Sequence, residues 1–379
     1  MIAAHLPIQR PRQAKLLIVD SGGQIRHWER SRFVDLFRDG DLVIANDAAT
    51  LPASLMGKHR PADRPIEVRL AGLASLAPGA IRHPVAVIFG EGDFRTRTED
   101  RPLPPRLAVG DNLELGPLRA RVTDVLAHPR LVRLALDGST GEVWQALARH
   151  GRPIQYSHLQ SPLALWDVWT AIAGAPVAFE PPSAGFVLDW NALSDLRRRG
   201  VRFSTITHAA GISSTGDAAL DALLPFDEPY FIPPTTVRAI FDTQRSGGRV
   251  IAIGTTVVRA LEHAARAGGI VRAGAGVATQ RIGAATWLRV VDAILSGTHE
   301  PGTSHHELLR AFAEDEILRR VDAELERCSY RTHEFGDSVF IASPSWNVSC
   351  STRTSRESYS PSLPAWPPHG RPVLPGFKA

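Results

Sequence analysis

Residues 65–138 have a different texture from the rest of the chain, and that difference constrains the whole plan. "IEVRLAG", "PVAVIFG", "LRARVTDVLAHP" and "RLVRLALDG" are short, partly alternating apolar runs divided by Gly, Pro and Asp. No helical period runs through them, so the segment reads as a small antiparallel barrel or sandwich. "FRTRTEDRPLPPRLAVGDNLELG", inside the segment, reads as one long loop. On both sides strands and helices alternate. An all-β unit set between two α/β stretches is an insertion. The expected organisation is a mixed-sheet α/β domain made of residues 1–62 and 150–342, interrupted by an antiparallel β-barrel-like domain over 63–149. The Ser-, Pro-, Arg- and Trp-containing tail, 343–379, has no periodicity and is expected to be disordered.

The α/β flanks carry clear element signals. "KLLIVD" (Lys15–Asp20) and "DLVIAND" (Asp41–Asp47) are buried-strand runs. "ERSRFVDLFRDG" between them places Phe33, Leu36 and Phe37 on one helical face. "GEVWQALARHG" reads as a helix, and "SPLALWDVWTAIAG" as a helix or an irregular segment. "NALSDLRRRG" is a helix with arginines in its last turn and Gly200 as its cap. "VRFSTITHAAG" is a strand. A helix, a strand and a helix follow in "PPTTVRAIFDTQRSGGRVIAIGTTVVRALEHAARAGG". A helical pair, "TSHHELLRAFAEDEILRRVDAELERC", leads to a last strand, "DSVFIA".

Composition excludes several classes. With 379 residues, 44% of them hydrophobic, the chain can fill a large core. A net charge of +4 permits an anionic partner without demanding one. Cys328 and Cys350 cannot build a disulfide framework or a four-cysteine metal site. No run of eighteen apolar residues predicts a membrane span, and the N-terminus lacks a secretory h-region. The expectation is a cytoplasmic monomer without a membrane role. His305–His306 has no third ligand at metal spacing, so no metal is expected.

"RVIAIGTTVVRALEHAA" (Arg249–Ala265) concentrates the functional signal. A buried strand ends in Gly254, which lets backbone approach a ligand. The first N–H groups of the next helix point outward, and Thr255 or Thr256 can cap it. Arg259, one turn inside, can hold an anionic group or pair with Glu262. Five segments resemble, in order, the S-adenosylmethionine:tRNA ribosyltransferase-isomerases of queuosine biosynthesis. They are "GDLVIANDAATLPASLMGK", "PPSAGFVLDWNALSDLRRRGV", "GTTVVRALE", "GTHEPGTSHHELLRAFA" and "YRTHEFGDSVFI". The resemblance spans most of Ala14–Ile341. It departs from the family at Ala49 and Ser54, where the family has arginines, and at Val187, where it has a histidine. The family's "THVGAGTF" becomes "THAAGISST", which keeps His208. "FDEPY" keeps Glu228 but lacks the family's preceding histidine.

The resemblance implies transfer and isomerisation of the ribosyl group of S-adenosylmethionine onto a 7-aminomethyl-7-deazaguanine in tRNA, with release of adenine and methionine. S-adenosylmethionine is then a substrate, tRNA the partner, and no cofactor is implied. The sulfonium acidifies the 5′ carbon, so a base can take that proton, and the departing adenine needs an acid. His208, Glu228 and His299 are the candidate catalytic residues. Each also has a structural reading: a hydrogen-bonded core histidine, an exposed loop carboxylate, and a loop residue before a helix capped by Thr303 or Ser304. Asn46, Asp47, Ser183, Gly185, Gly254, Thr255, Thr256 and Arg259 are the candidate binding residues. Asn46 and Asp47 can equally form an Asx turn, and Ser183–Gly185 a plain Pro-rich turn. The departures keep two other functions open: another reaction of S-adenosylmethionine or a nucleoside with a small acceptor, or RNA binding without catalysis.

Overall fold

The computed structural model describes residues 2–343; the expected tail beyond Ser343, with Cys350, lies outside the described residues. A nine-stranded mixed sheet forms the main body. Its order is Gly274–Ala278, Glu228–Ile232, Arg202–His208, Leu42–Asn46, Val250–Ile253, Ala293–Gly297, Ser338–Ala342, Lys15–Val19 and Ile25–Glu29. The four strands from Arg202–His208 to Ala293–Gly297 run parallel, so their carboxyl ends share one edge. The two central strands, Leu42–Asn46 and Val250–Ile253, are buried along their whole length because both faces are covered. Leu42, Ile44, Val250 and Ala252 pack against the helix Thr255–Ala264, while Val43, Ala45, Ile251 and Ile253 face a second core with Phe33, Phe37 and Leu196.

The insertion is a closed six-stranded antiparallel barrel with its own core. Its strands include Asn112–Leu115, which lies inside the segment expected to be loop. That strand was hidden because it is short and alternates, with Leu113 and Leu115 inward and Asn112 exposed. The barrel also takes in Ser54–His59, ahead of residue 63, since this strand pairs with both Arg64–Gly72 and Asn112–Leu115.

Other elements differ from expectation in detail. Arg30–Leu36 is a 3₁₀ helix, and "SPLALWDVWTAIAG" holds only one helical turn, Leu165–Val168. Asp189 caps Trp190–Arg198 through the Ala192 N–H at 2.7 Å, and Gly200 follows with φ of +72°. Two arginines at that helix end are used in ion pairs, Arg198 with Asp195 and Arg199 with Asp35.

Candidate active site

The carboxyl edge of the parallel strands opens into a cleft of about 560 Å³. Three parts of its wall come from strand ends. Ala210–Ile212 follow Arg202–His208, Gly254–Thr256 follow Val250–Ile253, and Ser296 and His299 come from the end of Ala293–Gly297. A Pro-rich loop with Glu180 and Ser183 closes the facing side. Ligands of open α/β sheets bind at such edges.

Gly254 has φ of +95°, a conformation that a side chain resists, and it is the N-cap of the Thr255–Ala264 helix. Neither threonine caps that helix through its side chain. The glycine leaves the turn flush with the cleft, and Thr255 and Thr256 line it.

Glu228 and Arg259 are both buried and form an ion pair. Glu228 opens a strand and is not on an exposed loop, and its Oε1 also accepts the Gly211 N–H at 2.6 Å. A Cβ at Gly211 would sit 2.9 Å from that oxygen, so glycine is needed for the approach. Arg259 is saturated: it also donates to the carbonyls of Phe226, Ala278 and Gln280. It therefore holds Glu228 and does not pair with Glu262. Glu262 instead accepts three backbone N–H groups, from Arg289 at 2.8 Å and from Val290 and Val291 at 3.0 Å. Burial raises the Glu228 carboxyl against the pull of Arg259.

His208 is fully buried and does not line the cleft. Its Nε2 lies 3.4 Å from Glu228 Oε2, so the ring stands behind the carboxylate. Burial, helped by Arg259, pushes its pKa down to about 3, so the imidazole is neutral. His299 lines the cleft, its Nε2 2.9 Å from Ser296 Oγ and its ring centroid 4.7 Å from that of His305. Burial, and then His305, hold His299 well below the ordinary histidine range. Thr303 does cap the helix that follows, accepting from the His306 N–H at 3.2 Å.

Asn46 and Asp47 sit at the sheet edge but outside the cleft lining. Asn46 is 1% exposed and works as a clamp. Its Oδ1 accepts from the His208 N–H at 2.9 Å and the Ala48 N–H at 3.1 Å, and its Nδ2 donates to the His208 carbonyl at 2.9 Å. Asp47 accepts from Thr207 Oγ1 at 2.6 Å. Gly185 is buried beneath the cleft loop, where a Cβ would lie 3.1 Å from Thr170 Cγ2. The cleft thus gathers Glu228, His299, Ser183, Gly254, Thr255, Thr256 and Arg259, while His208, Asn46, Asp47 and Gly185 support it from behind.

Sequence reasoning missed Glu180. It stands in "FEPP", 8% exposed, lines the cleft, and meets the Tyr156 hydroxyl. The available signal was a lone carboxylate between Phe179 and Pro181 in an otherwise apolar run. Burial, reinforced by Glu334, raises its pKa to about 7.

A cleft at the carboxyl ends of parallel strands, with buried carboxyls and neutral imidazoles along it, is the arrangement of an α/β enzyme's active site. The profile of the family described as "Queuosine biosynthesis protein" matches residues 1–341, and this chain belongs to that family. A relative named S-adenosylmethionine:tRNA ribosyltransferase-isomerase from Geobacter sulfurreducens is 32% identical over 365 residues, covering 90% of this chain and 96% of its own. One of the same name from Geotalea uraniireducens is 30% identical over 348 residues, with the same coverage of 90% and 96%. A crystal structure of S-adenosylmethionine tRNA ribosyltransferase from Thermotoga maritima is similar at 20% identity and a TM-score of 0.47, over 90% of this chain and 96% of that one. Among the described residues no helix is long and apolar enough to cross a membrane.

Proposed function

We propose that this chain transfers and isomerises the ribosyl group of S-adenosylmethionine onto a 7-aminomethyl-7-deazaguanine in tRNA, releasing adenine and methionine and giving epoxyqueuosine. The observation that carries the proposal is family membership across residues 1–341, in a chain that spans nearly the full length of relatives bearing that activity as their name. The cleft geometry is compatible with it. The Gly254–Thr256 turn and Ser183 present small and hydroxylic groups to the nucleoside. The Glu228 carboxylate, fixed by Arg259 and the Gly211 N–H, faces the cleft where a sulfonium cation gains from a neighbouring anion. His299 is a neutral imidazole on the cleft wall, and the neutral form is the one that accepts a proton from the 5′ carbon. His208 packs behind Glu228, its Nε2 3.4 Å from Oε2. S-adenosylmethionine enters as substrate, with no further cofactor in the reaction.

The test incubates the full chain with S-adenosylmethionine and a tRNA carrying the aminomethyl base. Adenine and methionine should appear together, only with the modified tRNA, and a nuclease digest should contain epoxyqueuosine. Tight tRNA binding with no release, or release independent of tRNA, overturns the proposal.

A further inference from the structure

Adenine cannot leave easily as an anion, so the cleft needs a proton donor on its side of the substrate. Most titratable groups on the cleft wall are unsuited to that. His299 and His305 are held neutral by burial. Glu228 is occupied by Arg259 and the Gly211 N–H. Asp221 accepts from the Thr215 N–H at 2.7 Å and the Thr215 hydroxyl at 2.6 Å, and Glu307 pairs with Arg310 at 2.8 Å.

Glu180 is placed differently. Tyr156 Oη lies against two oxygens, Glu180 Oε1 and the Ser214 carbonyl, the latter at 3.0 Å. A phenol carries one proton and a carbonyl none, so both contacts are hydrogen bonds when Glu180 supplies the second proton. Several groups face this carboxyl. Tyr156 comes from the segment after the Thr140–His150 helix, Ser213 from the loop after His208, Glu334 from the turn before the last strand, and Arg69 from the barrel. Arg69 is engaged by Glu67 at 2.8 Å, and Glu334 lies 3.2 Å from His158 Nε2, whose ring stacks on His333. Arg69 spends its Nε and Nη2 on Glu67 and makes no hydrogen bond to Glu180, whose direct neighbours are the neutral donors Tyr156 and Ser213.

We propose that Glu180 is a catalytic acid of this cleft, giving its carboxyl proton to the departing adenine. The inference rests on the function proposed above. In the step, a base takes the 5′ proton, the C–H electron pair forms a C4′=C5′ double bond, and the C4′–O4′ bond breaks so that its pair forms a C1′=O4′ carbonyl. The C1′–N9 bond breaks, its electron pair leaves with adenine, and the Glu180 proton neutralises the leaving heterocycle. Glu180 is left as a carboxylate and regains a proton from solvent. At neutral pH a carboxyl held near 7 is well matched to this task.

The experiment follows adenine release by the full chain between pH 5.5 and 9, with S-adenosylmethionine binding measured separately. Wild-type kcat should fall about tenfold per pH unit above the Glu180 pKa of about 7. Glu180→Gln should lose about 100-fold or more in kcat, lack the alkaline limb, and bind S-adenosylmethionine within about threefold of wild type. Glu334→Gln removes a negative neighbour and should move the alkaline limb to lower pH, which a purely structural role would not do. Glu180→Gln with wild-type kcat and an unchanged limb overturns the inference, and so does an unmoved limb in Glu334→Gln if Glu180→Gln fails to fold. A wild-type chain that releases no adenine at any pH overturns the underlying function, and the inference with it.

Discussion

Asn46 shows how a residue expected to contact the ligand serves the cleft without lining it. Its amide exchanges two hydrogen bonds with the His208 backbone and thereby fixes where the Arg202–His208 strand ends. An ionised carboxylate of the same shape can accept from the His208 N–H but has no proton to donate to the His208 carbonyl. Asn46→Asp should therefore leave that carbonyl facing an oxygen in a buried site, at a cost of at least about 2 kcal/mol in urea denaturation at pH 8. The Glu228–Arg259 pair makes the complementary case. Glu228→Gln keeps the shape but strands a buried guanidinium, and should destabilise by about 3 kcal/mol. Arg259→Met in that background should recover part of the loss, read as a positive coupling in a double-mutant cycle.

At the scale of elements, the Val250–Gly254–Thr255 junction carries the cleft. Gly254→Ala forces a side chain into φ of +95° and toward Ala184 Cβ at 3.4 Å. A cost of about 1–2 kcal/mol is expected, with a raised KM for S-adenosylmethionine, measured by thermal denaturation and steady-state adenine release. This junction was legible because a four-residue apolar run stops abruptly at glycine. Leu42–Asn46 was legible for the same kind of reason, as apolar residues bounded by polar ones, whereas Arg202–His208 was legible as a strand by its β-branched and aromatic residues, Phe203, Thr205, Ile206 and Thr207. Gly274–Ala278 was not, since "GAGVA" has little side chain to form a pattern, and it is a strand only because Glu228–Ile232 pairs with it. The site shows the same divide. Helical spacing offered Glu262 to Arg259, and no local pattern could reveal a partner 31 residues away. Glu180 was invisible for a related reason, because its environment is assembled from the barrel, the loop after His208 and the turn before Ser338–Ala342.

Across the whole molecule, burial along the cleft keeps histidines neutral and one carboxyl protonated, and these opposite preferences set a pH window for stability. His208 has a folded pKa of about 3 against an ordinary 6.5. Below pH 6.5 the unfolded chain binds the proton that the folded chain refuses, so this contribution is lost as pH falls from 6.5 toward 3. Glu180 has the reverse sign. Its folded pKa is about 7 against an ordinary 4.5, so the folded chain holds a proton that the unfolded chain gives up. Stability from this group is full below 4.5 and is lost as pH rises through about 7. The two contributions can be removed separately. His208→Leu deletes a buried ring whose nitrogens have no hydrogen-bond partner, so it should change stability at pH 7 by no more than about 1 kcal/mol while flattening the acid limb. Glu180→Gln should leave the acid limb in place and flatten the alkaline one, making the variant more stable than wild type at pH 8 by up to about 3 kcal/mol and little different at pH 4.5. Chemical denaturation of both variants from pH 4.5 to 8.5 checks the pair. An alkaline limb undiminished by Glu180→Gln would mean that other raised carboxyls, Glu228 and Glu262, carry all of it, and that the cleft does not hold Glu180 in its neutral form.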